Sequence, residues 1–230
     1  MFDRPHHNAI AQVLKALDAE LLLRARAWFG GGTAIVLNLG EYRESVDIDF
    51  LCSSKEGYRL LREATFGGSF DKVLAPGAGI TVLREVRADQ YGIRTQLETA
   101  GTRVKFEIVR EARVDLSGEM DPRLGVPVLT RADMYCEKLL ANADRYADTA
   151  VLSRDMIDLS MMISRWGPIP DAAWVKAEVA YGRTVRTAYD KAVAMIRNPV
   201  WMSKCVEGMA IEEKIAEEIV ALHGGSEAPE

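Results

Sequence analysis

The sequence predicts an α/β (α+β) protein in which a mixed sheet flanked by helices is followed by a helical C-terminal domain. Patterns typical of strands occur only before residue 127, and from residue 130 onward the patterns are helical. Too few helices separate the strands for a doubly wound parallel sheet. Apolar residues make up 48% of the 230-residue chain and charged residues 27%, which is the composition of a globular protein with a sizeable core.

The first elements can be read from apolar spacing. Asn8 is the predicted N-cap of an amphipathic helix. The apolar positions of this helix are Ile10, Val13, Leu14, Leu17 and Leu21. Alternation over residues 25–29 predicts a short strand that ends in a glycine turn at residues 30–32. A helix of about two turns is predicted over residues 33–39, and Gly40 stops it.

The pentapeptide Val46-Asp47-Ile48-Asp49-Phe50 alternates apolar and acidic residues. In a strand, residues i and i+2 point to the same side. We therefore expect Asp47 and Asp49 to share one face, while Val46, Ile48 and Phe50 face the core. A helix over residues 54–65 and strands over residues 80–86, 93–97 and 104–109 follow.

The C-terminal part is predicted to be entirely helical. Thr130 and Asp133 resemble a capping box for a helix that runs to about residue 146. A second helix, over residues 153–166, ends at Gly167, and the last covers residues 210–222. Pro170, Gly182 and the Asn198-Pro199 pair punctuate the chain between them. The expected domains are residues 1–127 and 128–223, with a disordered tail over 224–230.

Charge and cysteine usage exclude several classes of protein. The net charge is −5, from 29 basic and 34 acidic side chains, so the whole chain is not a dedicated polyanion binder, although a local basic face is compatible with it. Three cysteines without a CxxC pair predict inert, reduced thiols, and three histidines are too few for a histidine metal cluster. No apolar run reaches about 18 residues, so we expect no membrane partner and a cytoplasmic location.

Asp47 and Asp49 are the first candidates for chemistry. Two carboxylates one strand repeat apart repel each other unless a cation lies between them, and Mg²⁺ typically uses one or two carboxylates plus substrate phosphates. Glu107, which alternates with the apolar residues of its strand, would complete an acidic cluster if that strand is a neighbour. Acidic residues on a solvent-facing edge strand are the plainer interpretation. The glycine turn favours the metal site, because it opens a helix whose free N–H groups suit a phosphate.

These motifs resemble a known family. Gly31-Gly32-Thr33 followed by Arg43-Glu44-Ser45-Val46-Asp47-Ile48-Asp49 is similar to the signature of the AbiEii/AbiGii toxin family of nucleotidyltransferases, within the DNA polymerase beta-like superfamily. Two downstream segments also match. Lys138-Leu139-Leu140-Ala141 with Arg145 resembles the family's lysine motif, and the segment from Arg154 to Leu159 resembles its Arg-Asp-x-x-Asp-Leu motif.

The resemblance implies roles for these residues. Asp47 and Asp49, with Glu107 as a less distinctive third carboxylate, would bind Mg²⁺, which Mn²⁺ could replace. The nucleoside triphosphate (NTP) substrate would be bound by a set of residues in the nucleotidyltransferase core and by the lysine of the helical domain, which completes the nucleotide site. That set is Gly31, Gly32, Thr33, Arg43, Ser45 and Lys138. Asp158 would be the essential acidic residue of the last motif.

The spacing of the residues in the lysine motif also indicates that they bind phosphate. Lys138, Asn142 and Arg145 occupy one face of a helix, which would present a basic stripe to a triphosphate. Asp158 could orient Lys138 or accept a proton from the attacking hydroxyl, and the sequence does not choose between these roles. In the plainer interpretation, Lys138 and Arg145 are solvated, while Asp155 and Asp158 only complement a helix dipole.

The expected function is transfer of a nucleoside monophosphate from an NTP to an acceptor hydroxyl. By resemblance, the chain would be the toxin of a toxin–antitoxin or phage-defence (abortive infection) system, with a cognate antitoxin protein and with RNA or tRNA as acceptor. Two alternatives stay open: a small-molecule nucleotidyltransferase of the aminoglycoside type, and a non-catalytic nucleotide-binding module.

The best candidate for an RNA-binding surface is the stretch 176–204, where six cations outnumber two acids. Those cations are Lys176, Arg183, Arg186, Lys191, Arg197 and Lys204.

Overall fold

A computed structural model describes residues 1–224 and divides the chain into two compact units. The first unit contains Met1–Leu37 and Ser45–Thr130. The second contains Asn38–Glu44 and the chain from Arg131 onward. The chain therefore leaves the first unit once, for seven residues, and returns to it before the predicted strand at residues 46–50.

The first unit contains a mixed sheet with helices packed on it, as predicted. Its helices are α1 (Pro5–Lys15), α2 (Ala19–Arg24), α3 (Gly31–Asn38, whose last residue groups with the second unit) and α4 (Lys55–Ala64). Its strands are β1 (Ala27–Gly30), β2 (Asp47–Cys52), β3 (Thr81–Val82), β4 (Arg87–Ala88), β5 (Gly92–Thr99), β6 (Thr102–Arg110), β7 (Gly118–Asp121) and β8 (Val126–Leu129).

The strand order is β3-β5-β6-β2-β1-β8-β7, and β4 pairs with β5. β2 runs antiparallel to β1 and parallel to β6, so the sheet is mixed at its centre. The register places Asp47 opposite Lys105 and Asp49 opposite Glu107. The strand that carries Glu107 is therefore the direct neighbour of the aspartate strand.

Four phenylalanines fill the core beneath these central strands. Phe29, Phe50 and Phe106 lie on β1, β2 and β6, and successive ring centroids are 5.5 Å and 5.8 Å apart. Phe70 packs edge-on to Phe106 with a centroid distance of 5.0 Å. Because the alternate residues of β2 bury their apolar side chains here, Asp47 and Asp49 lie on the opposite face.

Several local predictions for the first unit were wrong. α1 begins at Pro5 rather than after Asn8, whose side chain instead bonds to the backbone of Phe2. Val46 precedes β2 and is 42% exposed, so it does not face the core. The predicted strand at residues 80–86 is reduced to the two residues of β3, and β4, β7 and β8 were missed because their patterns are too short.

The second unit is helical in the described residues that follow Thr130. Its helices are α5 (Arg131–Arg145), α6 (Arg154–Trp166), α7 (Asp171–Tyr181), α8 (Thr184–Ile196), α9 (Pro199–Met209) and α10 (Glu213–Gly224). α6 ends at Gly167 in a positive-φ conformation, as predicted, and breaks fall at Pro170, Gly182 and Asn198. α10 starts three residues later than predicted, because Ala210 adopts a left-handed conformation that ends α9.

The unit boundaries differ from a simple division at residue 127. β8 extends to Leu129, and the segment Asn38–Glu44, predicted as part of the first domain, groups with the helices. Of the predicted tail, Gly224 is the last residue of α10 and the rest lies outside the described residues.

The structure bears on the predictions of inert thiols and of no membrane-spanning segment. Cys52, Cys136 and Cys205 are buried thiols without disulfides, and burial raises the pKa of Cys52 and of Cys205 to about 11. Thiols with such pKa values stay protonated and unreactive at neutral pH. Over residues 1–224, the helices are too short or too polar to cross a bilayer.

The packing of α4 against the end of α2 gives a test of the fold. At Gly57, an added Cβ would lie 1.8 Å from the backbone oxygen of Ala25. Although Ala normally favours a helix over Gly, we expect Gly57→Ala to lower the free energy of unfolding by about 2–3 kcal/mol, because the backbone must move. Gly224→Ala is the matched control, because nothing in the described part of the chain lies within 4 Å of its added Cβ. Urea unfolding measures both, and equal stability of the two variants would contradict this packing.

Candidate functional site

The glycine turn between β1 and α3 lies directly against Asp49. Gly31 has φ +67°, and a Cβ there would lie 3.0 Å from Asp49 Oδ2 and 3.2 Å from Asp49 Cβ. Both the backbone conformation and the available space therefore require glycine. β1 and β2 pair so that Gly30 is opposite Asp49, which brings the start of α3 to the same edge of the sheet as the aspartate.

The hydroxyl of Thr33 fixes the first residue of β2. Thr33 is buried, and its Oγ1 donates to the backbone oxygen of Asp47 at 2.6 Å. Since that hydroxyl proton is used, the 2.7 Å contact with Ser45 Oγ is a bond in which Ser45 donates. Thr33 and Ser45, both predicted to bind nucleotide, thus bond to each other and hold the backbone of a predicted metal ligand.

Two histidines also hold this segment, although no sequence pattern predicted that they would. The Nε2 atom of His7 accepts from the backbone N–H of Ser45 at 3.3 Å, and His7 is fully buried. His6 Nε2 bonds to the carbonyl of Val46 at 3.0 Å. Since a carbonyl only accepts, His6 donates and its ring nitrogen carries the proton. Both histidines come from the first turn of α1, where nothing in the local pattern distinguishes them.

Asp47 and Asp49 share one half-exposed face of β2, as predicted. Ile48 and Phe50, which alternate with them, are fully buried. Two carboxylates on one strand face form a donor set that Mg²⁺ uses together with substrate phosphates. The Asp47 and Asp49 pair therefore has the chemistry needed to bind a divalent metal.

Glu107 is on the same face but its carboxylate has two cationic partners. Arg94 Nε donates to Glu107 Oε1 at 2.6 Å, and Lys105 Nζ lies 3.3 Å from Oε2. Among residues 1–224, no group of three or more His, Cys, Asp or Glu side chains is arranged to bind a metal ion. The structure therefore pairs the predicted third ligand with cations instead of placing it in a three-carboxylate cluster.

Lys105 is a second feature that sequence reasoning missed. It lies opposite Asp47 in the register. Partial burial alone would lower the pKa of Lys105, but Asp47, Glu107 and Asp49 outweigh that effect and raise it. The lysine is therefore charged at neutral pH and reduces the repulsion between the two aspartates.

In the second unit, Asp158 is the centre of a buried network of charges. Its Oδ1 accepts from the Tyr42 hydroxyl at 2.6 Å and from Arg43 Nε at 2.7 Å. Its Oδ2 accepts from Arg43 Nη2 at 2.8 Å and lies 2.6 Å from Lys138 Nζ. The Asp158 side chain has no exposed surface, and three residues satisfy both of its oxygens.

The network continues through Asp155 to the rest of the lysine motif. Lys138 Nζ lies 2.9 Å from Asp155 Oδ1, so the ammonium is held between two carboxylates. Arg145 Nε donates to Asp155 Oδ2 at 2.6 Å. The predicted face of α5 is confirmed in its spacing, but Lys138 is 5% exposed and neither cation is simply solvated.

The pKa values follow from these contacts. Burial alone would raise the pKa of Asp158, but Arg43 and Lys138 outweigh it and hold the pKa below the usual range. The pKa of Asp155 is lowered in the same way, since Lys138 and Arg145 outweigh the effect of burial. Burial, and then the charge of Asp158, raise the pKa of Tyr42, so the phenol stays a hydrogen-bond donor.

The predicted site residues therefore fall into two groups. Those of the first unit are Gly31, Gly32, Thr33, Ser45, Asp47, Asp49 and Glu107, and those of the second are Arg43, Lys138 and Asp158. Arg43 was predicted to bind nucleotide, but its Nε and Nη2 donate to Asp158 and its Nη1 donates to the carbonyl of Glu44. Tyr42 was missed, because only the fold brings it to a residue 116 positions away.

Comparisons with known proteins bear on the family and the fold. The sequence model of the family described as "Nucleotidyl transferase AbiEii toxin, Type IV TA system" matches residues 12–223. The crystal structure of a "putative nucleotidyltransferase from H. pylori" is similar over 95% of this chain and 92% of that one, with TM-score 0.54 and 18% identity. The crystal structure of JHP933 from Helicobacter pylori is similar over 97% and 92%, with TM-score 0.55 and 16% identity. No curated protein sequence matches significantly.

The ionisation of Asp158 gives a pH-dependent test. Asp158→Asn should lower the free energy of unfolding at pH 7 by about 3–5 kcal/mol, because Arg43 and Lys138 lose a buried counter-charge. A carboxyl whose folded pKa is lowered stabilises the protein above its unfolded pKa, about 4, and this contribution is lost as the pH falls through the folded pKa. The difference between wild type and variant should therefore shrink below about pH 4.

Urea unfolding from pH 7 to pH 3 measures this difference. Tyr42→Phe is the control, because it removes one hydrogen bond and leaves both ion pairs of Asp158 in place. It should cost about 1–2 kcal/mol, with the pH dependence of the wild type. A deficit in Asp158→Asn that stays constant from pH 7 down to pH 3 would show that folding does not lower the pKa of Asp158.

Proposed function

This chain belongs to the AbiEii family of nucleotidyl transferase toxins, and on that premise we propose that its Asp47–Asp49 face is the catalytic centre of a metal-dependent transfer to RNA. The acceptor hydroxyl oxygen attacks the α-phosphorus of a nucleoside triphosphate. The bond from that phosphorus to its bridging oxygen breaks, pyrophosphate leaves, and the hydroxyl proton passes to water. The observation that carries the proposal is the pairing of two aspartates on one strand face with a glycine turn at the same edge.

The residues of the first unit supply position and charge. The first N–H groups of α3 have no partner within the helix and, together with the helix dipole, favour a phosphate beside Asp49. Mg²⁺ or Mn²⁺ bound by Asp47 and Asp49 would neutralise developing charge on the phosphoryl oxygens. Thr33, Ser45 and His7 do not touch substrate in this proposal. They hold the backbone before β2 in place, so that the aspartates need no reorganisation during the reaction.

Within the second unit, we assign Lys138 to phosphate binding and Asp158 to positioning. A general base must be able to take up a proton near the working pH. The lowered pKa of Asp158 and its four donors make it a poor base, whereas both features suit a permanent counter-ion for Lys138 and Arg43. Of the two roles left open by the sequence, orientation of Lys138 is therefore favoured.

The biological role follows from family membership and is proposed in the same way. The family comprises toxins of type IV toxin–antitoxin systems, so we expect a cognate antitoxin for this chain. RNA, with the acceptor end of tRNA as one candidate, is the proposed target. A toxin that adds nucleotides to RNA would stop growth when it is expressed alone.

An incorporation assay tests the proposal directly. The protein is incubated with Mg²⁺, each labelled nucleoside triphosphate in turn, and total tRNA, and the label on RNA is measured. We expect incorporation by the wild type and a loss of about a hundredfold or more in Asp49→Asn, because the variant keeps the shape but not the charge of a proposed metal ligand. Label on no RNA pool would contradict the RNA target, and label on an aminoglycoside instead would favour the small-molecule alternative.

A substitution at Glu107 tests whether the metal site uses two carboxylates or three. Because Arg94 and Lys105 already occupy both of its oxygens, Glu107→Gln should keep incorporation within about tenfold of the wild type. Asp47→Asn, the matched change opposite Lys105, should lose about a hundredfold or more. If the two variants lost activity equally, Glu107 would be a third ligand and its ion pairs would have to open when metal binds.

A further inference from the structure

We propose that the exposed edge of α4 and the residues beside it form a surface that binds single-stranded RNA, separate from the Asp47–Asp49 face. This surface, called the α4 surface below, is defined by Arg26, Lys55, Arg59, Arg62, Phe66 and Arg110. The inference rests on the proposed function in that RNA is taken as the acceptor. It places the RNA-holding residues in the first unit and not in the stretch 176–204.

The α4 surface joins two cavities that share Lys55. One, of about 710 Å³, is lined by Arg26, Lys55 and Arg110 among others, and the second, of about 620 Å³, by Lys55, Arg59 and Arg62. Six cations and four carboxylates line the two cavities together. The excess of positive charge is local, because the chain as a whole carries a net charge of −5.

Most of these cations are available to a ligand. Within residues 1–224, Arg26, Lys55, Arg62 and Arg110 form no ion pair with a carboxylate. Arg59 has only an exposed contact of 3.7 Å with Glu63, which is worth little in water. Arg113 pairs with Glu111 at 2.6 Å, so this pair uses one of the six cations and one of the four carboxylates.

The surface also contains one exposed aromatic ring, in a position that suits a nucleotide base. Phe66, directly after the cap of α4, is 86% exposed. Tyr58 lies beneath the surface, where its hydroxyl donates to the carbonyl of Asp89 at 2.7 Å and the Arg110 guanidinium lies 5.6 Å from its ring centroid. Tyr58 is therefore fixed and supports Arg110, while Phe66 offers a free ring face.

Spacing and side-chain type favour a nucleic acid strand over an acidic protein. Lys55, Arg59 and Arg62 follow one another at i, i+4 and i+7, so they form a row about 10 Å long on the helix. Arginine forks match phosphate geometry, and an exposed aromatic beside a basic row is the combination used by single-strand binders. The row starts after β2 ends at Cys52, about 10 Å along the strand from Asp49, so it can hold RNA without contacting the reacting atoms.

The stretch 176–204 fits this role less well in the structure. Lys176 is paired with Asp133, and Arg186 is paired with Glu178 while it lies 4.4 Å from the Trp174 ring centroid. These contacts hold the helices of the second unit together. Lys191 Nζ lies 5.9 Å from the ring centroid of Tyr146. Among the described residues, the other three cations of the stretch, Arg183, Arg197 and Lys204, form no ion pair with a carboxylate. They supply the matched control.

The test measures RNA binding by a variant that cannot catalyse nucleotidyl transfer. Fluorescence anisotropy of a labelled single-stranded RNA of mixed sequence is measured with Asp49→Asn, over a range of salt concentrations. For single strands, the slope of log affinity against log salt falls by about 0.7 for each phosphate that the protein no longer neutralises. Adding Lys55→Ala, Arg59→Ala and Arg62→Ala should reduce that slope by about 2 and weaken binding about tenfold or more at low salt.

The control removes the same charge elsewhere. Arg183→Ala, Arg197→Ala and Lys204→Ala together should change affinity and slope by much less. Phe66→Leu should weaken binding about tenfold while Phe66→Trp does not, because stacking needs an aromatic face. Unchanged urea midpoints establish that the variants fold. An equal loss in the control triple, an unchanged slope in the α4 triple, or equal competition by polyglutamate would each overturn the proposal.

The outcome is separable from that of the proposed function. RNA binding that depends on the α4 surface, with no incorporation by the wild type, would sink the enzymatic proposal and leave the surface intact. Incorporation that the α4 triple variant retains, with wild-type affinity for RNA, would overturn the surface and leave the enzymatic proposal intact.

Discussion

The buried contacts of Asp158 are the constraint on which the second unit depends. One carboxylate without exposed surface accepts from Tyr42, Arg43 and Lys138, which come from two segments almost a hundred positions apart in sequence. A buried charge of this kind is costly unless it is fully paired, and removing one partner leaves the others uncompensated. The packing of Asn38–Glu44 against α5 and α6 is thus tied to the ionisation of a single residue.

The start of β2 is held by separate contacts, within the first unit. Arg43 is committed to Asp158, and two residues later Ser45 donates to Thr33, whose hydroxyl in turn donates to Asp47. His7 accepts from the backbone N–H of Ser45. Thr33, Ser45 and His7 therefore hold the backbone at the start of β2. Motif residues that a resemblance would assign to nucleotide thus include several whose hydroxyl or guanidinium groups are used within the protein.

The sequence predicted correctly those features that depend on the residues of a single helix or strand. The alternation over residues 46–50 predicted that Asp47 and Asp49 share a face, and Gly167 with Pro168 predicted the end of α6. The sequence did not predict contacts between residues that are far apart in the chain. Nothing local to Tyr42 or His7 indicates a bond to a residue 116 or 38 positions away. Short strands such as β3 and β4, two residues each, owe their existence to pairing with β5, so their own patterns are too weak to predict.

The same distinction explains the two candidate basic surfaces. A count of charges along the chain selects residues 176–204, but it cannot tell which cations meet a carboxylate after folding. Lys176 and Arg186 do, whereas within residues 1–224 Arg62 and Arg110, which line two cavities that share Lys55, form no ion pair with a carboxylate. Which charges are available to a ligand is a property of the fold.

The ion pairs of Asp158 with Arg43 and Lys138 predict that it is a permanently ionised counter-ion in the folded protein. The most direct measurement is a pH titration of the protein labelled with carbon-13 at aspartate side chains, followed by NMR, with the Asp158 resonance assigned by its loss in Asp158→Asn. The buried ion pairs predict that this carboxyl stays ionised at every pH from neutral down to below the usual aspartate range, until the protein unfolds. A resonance that titrates between about pH 5 and pH 8 would contradict the claim and make Asp158 a candidate base.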